Sequence, residues 1–224
     1  MSKKTVKKKG KSSGIKKSVR ILWIVFFAVL GFGILIIVAA DLGWLGKMPS
    51  IEELQNPSAS LASQVYADDG TLMGKYYLED RVNVNYKDIS PYIIKALVAT
   101  EDERYYDHNG IDPRSLARAF FSLGTKGGAS TITMQTAKNL FTANPSNNII
   151  TRLTQKLKES IIAIKLERNF TKDEILTIYL NTVPFSDNVF GIRNASKTFF
   201  QKEPDRVSIA EAAVLVGMVN APTT

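Results

Sequence analysis

Hydrophobic positions along this chain fall into three kinds of run, and each predicts a different element. The first, Ile21 to Ala40 (ILWIVFFAVLGFGILIIVAA), is twenty residues without a charged side chain. At ~1.5 Å rise per residue, such a helix matches the ~30 Å hydrocarbon core of a bilayer. It also exceeds the ~7–15 apolar residues of a secretory signal, so a retained transmembrane helix is expected. The second kind is short and β-prone: SQVYADDGTLMGKYY places two such runs around Asp69-Gly70, a hairpin signal. The third is the helical period, which dominates from Ser90 onward. Pro91 follows Ser90 as a first-turn residue after a cap. Ile150, Leu153, Leu157, Ile161 and Ile164 recur at spacings of three and four, predicting one long amphipathic helix. Thr171 to Glu174 forms a capping box ahead of Ile175 and Leu176. The pattern predicts a mainly α chain with a small N-terminal β-hairpin and one transmembrane helix.

Charge changes the picture by where it lies. Of 29 Lys/Arg, nine fall in residues 1–20, which hold no Asp or Glu. Residues 41–224 then carry 20 Lys/Arg against 21 Asp/Glu, a net of −1. The total of +8 is therefore a property of the tail, and the body lacks the concentrated cationic surface that nucleic acid requires. By the positive-inside tendency the tail stays cytoplasmic and the body lies on the outer side of the membrane. The expected organisation is a basic tail (1–20), a transmembrane helix (21–40), a linker (41–62) containing Pro49 and Pro57, and a globular domain (63–224). With no cysteine and one histidine, neither a disulfide framework nor a thiolate or multi-histidine metal site can be built.

Three stretches could carry chemistry. In LVATEDERYYDHNG, a helix from Pro91 puts Ile94, Leu97, Val98 and Glu101 at i, i+3, i+4 and i+7, so Glu101 shares the apolar face. A desolvated carboxylate is a stronger base; a helix that frays earlier would instead leave the acids as a solvated end, and spacing alone leaves both readings open. His108, beside Asp107 and ahead of Asn109-Gly110, reads as a hydrogen-bonded turn residue. In KGGASTITMQTAKNL, a glycine pair precedes the cap residues Ser130 and Thr131 and a helix carrying Lys138; exposed amides and a lysine attract phosphate, but the order is not that of a nucleotide P-loop. On the long helix, Arg152, Lys156 and Glu159 lie opposite the apolar stripe, while Ser160 to Leu166 is apolar almost all round. The helix should therefore enter the interior just past Glu159.

These residues resemble the peptidoglycan glycosyltransferase domain of class A penicillin-binding proteins and their monofunctional relatives. ATEDERYYDHNGID is similar to that family's first motif, GASTITMQ to its second, QKLKE to its third and KDEILTIYLN to its fourth, in matching order from about Ser63 onward. The resemblance implies a lysozyme-like domain that polymerises lipid II into β-1,4-linked glycan with release of undecaprenyl pyrophosphate. It implies Glu101 as general base and Glu159 as a second catalytic carboxylate that, with Lys138, Lys156 and Lys158, positions and neutralises the pyrophosphate side. Asp102, His108, Ser130, Thr131 and Gln135 would line or shape the substrate cleft. It implies lipid II, the growing glycan strand, the membrane and other cell-wall synthesis proteins as partners, and the bacterial inner membrane as location. No cofactor follows with certainty, and a divalent cation, Mg²⁺ or Mn²⁺, is left open. Met134 and Gln155 depart from the second and third motifs, and the chain stops at VNAPTT before a fifth, so the domain reads as truncated. Those departures motivate the alternative of a non-catalytic lipid II-binding or scaffold fragment.

Overall fold

The structure of the chain, a computed structural model, describes residues 12–41, 49, 63–66, 72–76, 83–122, 128–142, 148–186 and 189–220. Contacts divide it into two units, Met1–Met48 and Pro49–Thr224. The first contains α1 (Ser12–Asp41), a 30-residue helix that starts well before the apolar run expected to define it. Its segment Lys17–Leu35 is long and apolar enough to cross a membrane, with a mean hydropathy of 2.3.

In the second unit, β1 (Ser63–Tyr66) pairs antiparallel with β2 (Leu72–Tyr76). The Asp69-Gly70 turn expected between them lies outside the described residues, as does nearly all of the 41–62 linker. Seven helices follow among the described residues: α2 (Pro91–Glu101), α3 (Pro113–Phe121), α4 (Ile132–Phe141), α5 (Ile149–Asn169), α6 (Lys172–Thr182), α7 (Ile192–Phe200) and α8 (Ile209–Asn220). The core lies where α4 packs on α5 and α6, and where α2 packs on α8. Leu97, Ile132, Ile162, Leu166, Ile175 and Leu215 are fully buried there.

Local signals explain most helix starts. Ser90 caps α2 by accepting the Tyr92 amide, with Pro91 in the first turn. At α6, Thr171 accepts the Glu174 amide while Glu174 accepts the Thr171 amide, the reciprocal box expected there. The long helix α5 departs from expectation: Leu153 is 62% and Leu157 36% exposed, so the predicted stripe is not its buried seam. The buried positions are Glu159, Ile162, Ala163 and Leu166, spaced i, i+3, i+4 and i+7. Only the second half of α5 enters the interior, as the all-round apolar segment after Glu159 predicts.

At α8, Glu211 accepts from Lys202 at 2.6 Å and from the Ser208 amide at 2.9 Å. These contacts hold its carboxyl down at about 2. Because the folded value lies below the unfolded one of ~4.3, this stabilisation is present above that pH and is lost as pH falls through about 2. Melting temperatures measured between pH 5 and pH 2 should therefore fall less steeply in Glu211→Gln than in the parent; parallel curves would contradict the linkage.

Candidate active site

Glu101 is the last residue of α2, and Asp102 caps the helix by donating its amide to the Val98 carbonyl. Ile94 and Leu97 on the same face are buried and anchor the helix end. The helix therefore persists through Glu101, and the residue is half-buried rather than solvated. Gln135 on α4 donates Nε2–H to Glu101 Oε2 at 2.8 Å, and Tyr179 on α6 donates its hydroxyl to Gln135 Oε1 at 3.0 Å. Glu101 Oε1 is buried and has no hydrogen-bond partner among the described residues. Leaving a buried polar atom unpaired costs about 1–3 kcal/mol, so such an atom is a natural place for a ligand's hydroxyl.

Asp102 and His108 form a buried pair at 3.0 Å, with side chains 5% and 4% exposed. Asp102 Oδ2 also accepts the amide of Ile132, the first residue of α4. His108 is thus a hydrogen-bonded turn residue as expected, but its partner is Asp102 and not the exposed Asp107. The pair ties the end of α2 to the start of α4. The His108 carbonyl accepts Lys172 Nζ at 2.6 Å, and Lys172 also pairs with the buried Glu167, which accepts Thr133 Oγ1. Three helices therefore clamp the loop that follows Glu101.

Of the two candidate caps, Thr131 is the N-cap of α4, accepting the Met134 amide at 3.1 Å while donating to the Gly110 carbonyl at 2.6 Å. Ser130 instead accepts from Lys156 Nζ at 3.3 Å. Lys156 is half-exposed and also donates to Glu159 at 2.7 Å, whose side chain is 5% exposed. A buried carboxylate thereby holds an accessible ammonium next to the start of α4. Lys138 lies one turn beyond Gln135 on α4 and is exposed, while Lys158 neighbours Glu159 on α5. Neither Lys138 nor Lys158 makes a side-chain contact that joins it to this cluster among the described residues.

A cleft of ≈ 160 Å³ opens beside Glu101, lined also by Asp112, Ser115, Arg118, Ser130 and Thr131 among others. One wall is a fork in which Arg104 donates to Asp112 Oδ2 at 2.6 and 3.1 Å and to Ser115 Oγ at 2.8 Å. Burial pushes the Asp112 carboxyl up, but the Arg104 and Ser115 hydrogen bonds outweigh it and hold the group well below the usual carboxylate range. Among the described residues no group of three His, Asp or Glu side chains is placed to hold a metal ion.

A base candidate, Glu101, lines a polar cleft, and Ser130 in the same lining accepts from an accessible lysine beside a buried acid. Residues 69–224 match the family described as Transglycosylase. The chain belongs to this family. It is 36% identical over 182 residues to penicillin-binding protein 1A of Escherichia coli, covering 80% of this chain and 21% of that protein. The Neisseria flavescens protein of the same name is 34% identical, with 86% and 24% covered, and that of Haemophilus influenzae 36%, with 77% and 20% covered. The chain thus spans between a fifth and a quarter of the length of these relatives.

The Arg104–Asp112 fork of the transglycosylase cleft carries no sequence signal, and the fourth motif contains Lys172 and Tyr179 without naming their partners. Arg104 and Asp112 are eight residues apart across a turn, and no periodicity links them. Lys172 and Tyr179 had a signal: they stand at i and i+7 on α6 around the buried Ile175 and Leu176, so both face inward. A lysine and a phenol on a buried face need partners, and these are found in Glu167 and Gln135.

Proposed function

We propose that the chain is a membrane-anchored peptidoglycan glycosyltransferase that polymerises lipid II. The observation that carries this reading is the Glu101 carboxylate, with Oε2 held by Gln135 and Oε1 buried and unpartnered, in a cleft shared with Ser130. Glu101 Oε1 takes the proton of the acceptor sugar's 4-hydroxyl. The oxygen attacks C1 of the chain-end sugar, the bond from C1 to the pyrophosphate oxygen breaks with its electron pair leaving on pyrophosphate, and the centre inverts from α to β. Lys156, supported by Glu159 and Ser130, meets the developing charge, and Lys138 and Lys158 add cationic charge nearby. Thr131 and Gln135 shape the cleft, and the Asp102–His108 pair braces it from behind.

The wider assignments belong to the same proposal: a lysozyme-like domain at 63–224 with a small hairpin, a linker at 41–62, and a single membrane pass at 21–40 after a cytoplasmic tail at 1–20. The catalytic body then lies outside the inner membrane, next to lipid II, the glycan strand and other wall-synthesis proteins. Leu116 and Phe121 on α3 and Ile149 and Leu153 on α5 are exposed apolar side chains, which suits a substrate whose lipid tail stays in the bilayer. The test is labelled lipid II given to the purified full chain in detergent or vesicles. Polymer that is lost in Glu101→Gln supports the enzyme, whereas binding without polymer supports a non-catalytic lipid II-binding module.

Charge is the active property of Lys156 in this scheme. Lys156→Ala should lower turnover about tenfold or more, measured at temperatures where the variant is folded, because removing the ammonium also leaves the buried Glu159 carboxylate without this partner and lowers the melting temperature. Lys156→Arg should retain more activity, short of full rescue because a guanidinium differs in shape and hydration. A Lys156→Ala protein that polymerises at the parental rate would reduce the lysine to a local partner of Glu159, a contact worth ~0.2–0.5 kcal/mol.

A further inference from the structure

We propose that Tyr179 is a positioning residue that, acting through the side-chain amide of Gln135, holds Glu101 Oε2 and so reserves Oε1 as the atom that accepts the proton. The inference rests on Glu101 being the base and adds a residue from α6 that is fully buried and does not line the cleft. The geometry is a three-part chain: Tyr179 hydroxyl to Gln135 Oε1 at 3.0 Å, then Gln135 Nε2 to Glu101 Oε2 at 2.8 Å. Tyr179 is fully buried in the core of α6, so its hydroxyl has a fixed position, set by the packing of α4 on α6.

Chemistry fixes the direction of this chain. An amide turned the other way would bring Gln135 Oε1 against the carboxylate, two acceptors at hydrogen-bond distance, which is repulsive whenever Glu101 is ionised. Burial and the charge of Glu101 both push the Tyr179 phenol up, so it remains a donor at every pH at which the enzyme works. A donor at Tyr179 demands the oxygen of Gln135 and turns the N–H groups toward Glu101. The arrangement therefore presents a donor, and not a second acceptor, to the Glu101 carboxylate. Because the contact goes to Oε2 and leaves Oε1 unpartnered, the incoming proton has one place to bind. The relay needs no rearrangement when Glu101 becomes protonated on Oε1, since Oε2 continues to accept from Gln135.

Tyr179→Phe keeps the buried ring and removes only the hydroxyl. With lipid II as substrate, kcat should fall about tenfold, the size expected for a lost hydrogen bond in a charge-assisted chain, while KM stays within about twofold. In a Glu101→Gln background the same change should have no further effect, because a base that is absent cannot be misplaced. Tyr105→Phe is the comparator: it also removes one buried phenol hydrogen bond, to the Lys172 carbonyl at 2.9 Å. It should match Tyr179→Phe in loss of melting temperature and keep kcat within about twofold. Equal kcat losses in the two phenylalanine variants, or a Tyr179→Phe effect that persists undiminished without Glu101, would overturn the relay. If Glu101→Gln itself keeps parental activity, the base assignment fails. A dead Glu101→Gln protein beside an unaffected Tyr179→Phe protein rejects the relay alone.

Discussion

Glu101→Gln is expected to lower lipid II polymerisation about 10²- to 10⁴-fold, the range typical of losing a general base, with little change in melting temperature. The substitution preserves the local hydrogen bonding: the new amide keeps an oxygen that accepts from Gln135 and places an NH₂ group where Oε1 stood. Nothing on that side chain can then take the acceptor's proton. Asp102→Asn should show the reverse signature. Asp102 serves two partners from a buried position, His108 and the Ile132 amide, so weakening its charge loosens the junction of α2 and α4. Weakening buried hydrogen bonds to a carboxylate is costly for stability, and the larger loss should appear in thermal unfolding, with the smaller one in kcat. Polymer gels and melting curves on both variants separate the two acids. Equal residual activity would mean that position on the apolar face of α2 had selected the wrong carboxylate.

The face argument worked at Glu101 because it uses one helix and short range: Ser90 and Pro91 set the start of α2, and four positions follow with a fixed period. The same logic located the capping box of α6. It failed on α5, where Leu153 and Leu157 obey the period and yet face outward. Periodicity reports that a face is apolar, but not whether protein covers it. On α5 the buried positions among the described residues lie only in the later turns, and the seam there begins with an acid, Glu159. Contacts across distant segments were beyond reach for another reason. Gln135 meets Glu101 over 34 residues, Tyr179 meets Gln135 over 44, and no composition rule says which buried polar groups will choose each other. The family resemblance named Glu101, Asp102, Ser130 and Thr131 in the lining of the cleft but not Arg104, Asp112 or Ser115, and how the named residues are held comes from geometry. Glu159 is buried under Lys156, Ser130 binds the lysine, and Thr131 is the cap.

Gly110→Ala should be the most destabilising single change in the loop that follows Glu101. Gly110 has φ of +87°, a conformation that costs a side-chain-bearing residue about 1–3 kcal/mol. A Cβ there would also lie 2.9 Å from both the carbonyl carbon and oxygen of Ala163 and 3.2 Å from the Ile164 nitrogen. These are backbone atoms in the buried half of α5, so no flexible side chain can swing aside, and the loop itself has to lift. Lifting it stretches the 2.6 Å bond from Thr131 to the Gly110 carbonyl and pulls on His108, two residues away, which anchors Asp102. The combined loss should reach about 3 kcal/mol, or roughly 10 °C in melting temperature for a domain of this size. Asn109→Ala, at the exposed neighbouring position, should leave the melting curve almost where it was. The stability loss should come with a loss of turnover at temperatures where Gly110→Ala remains folded, because the displaced loop begins one residue after Glu101. An unchanged melting temperature in Gly110→Ala would show that the loop has room to rise from α5, and that the close approach of loop to helix does not hold the cleft in shape.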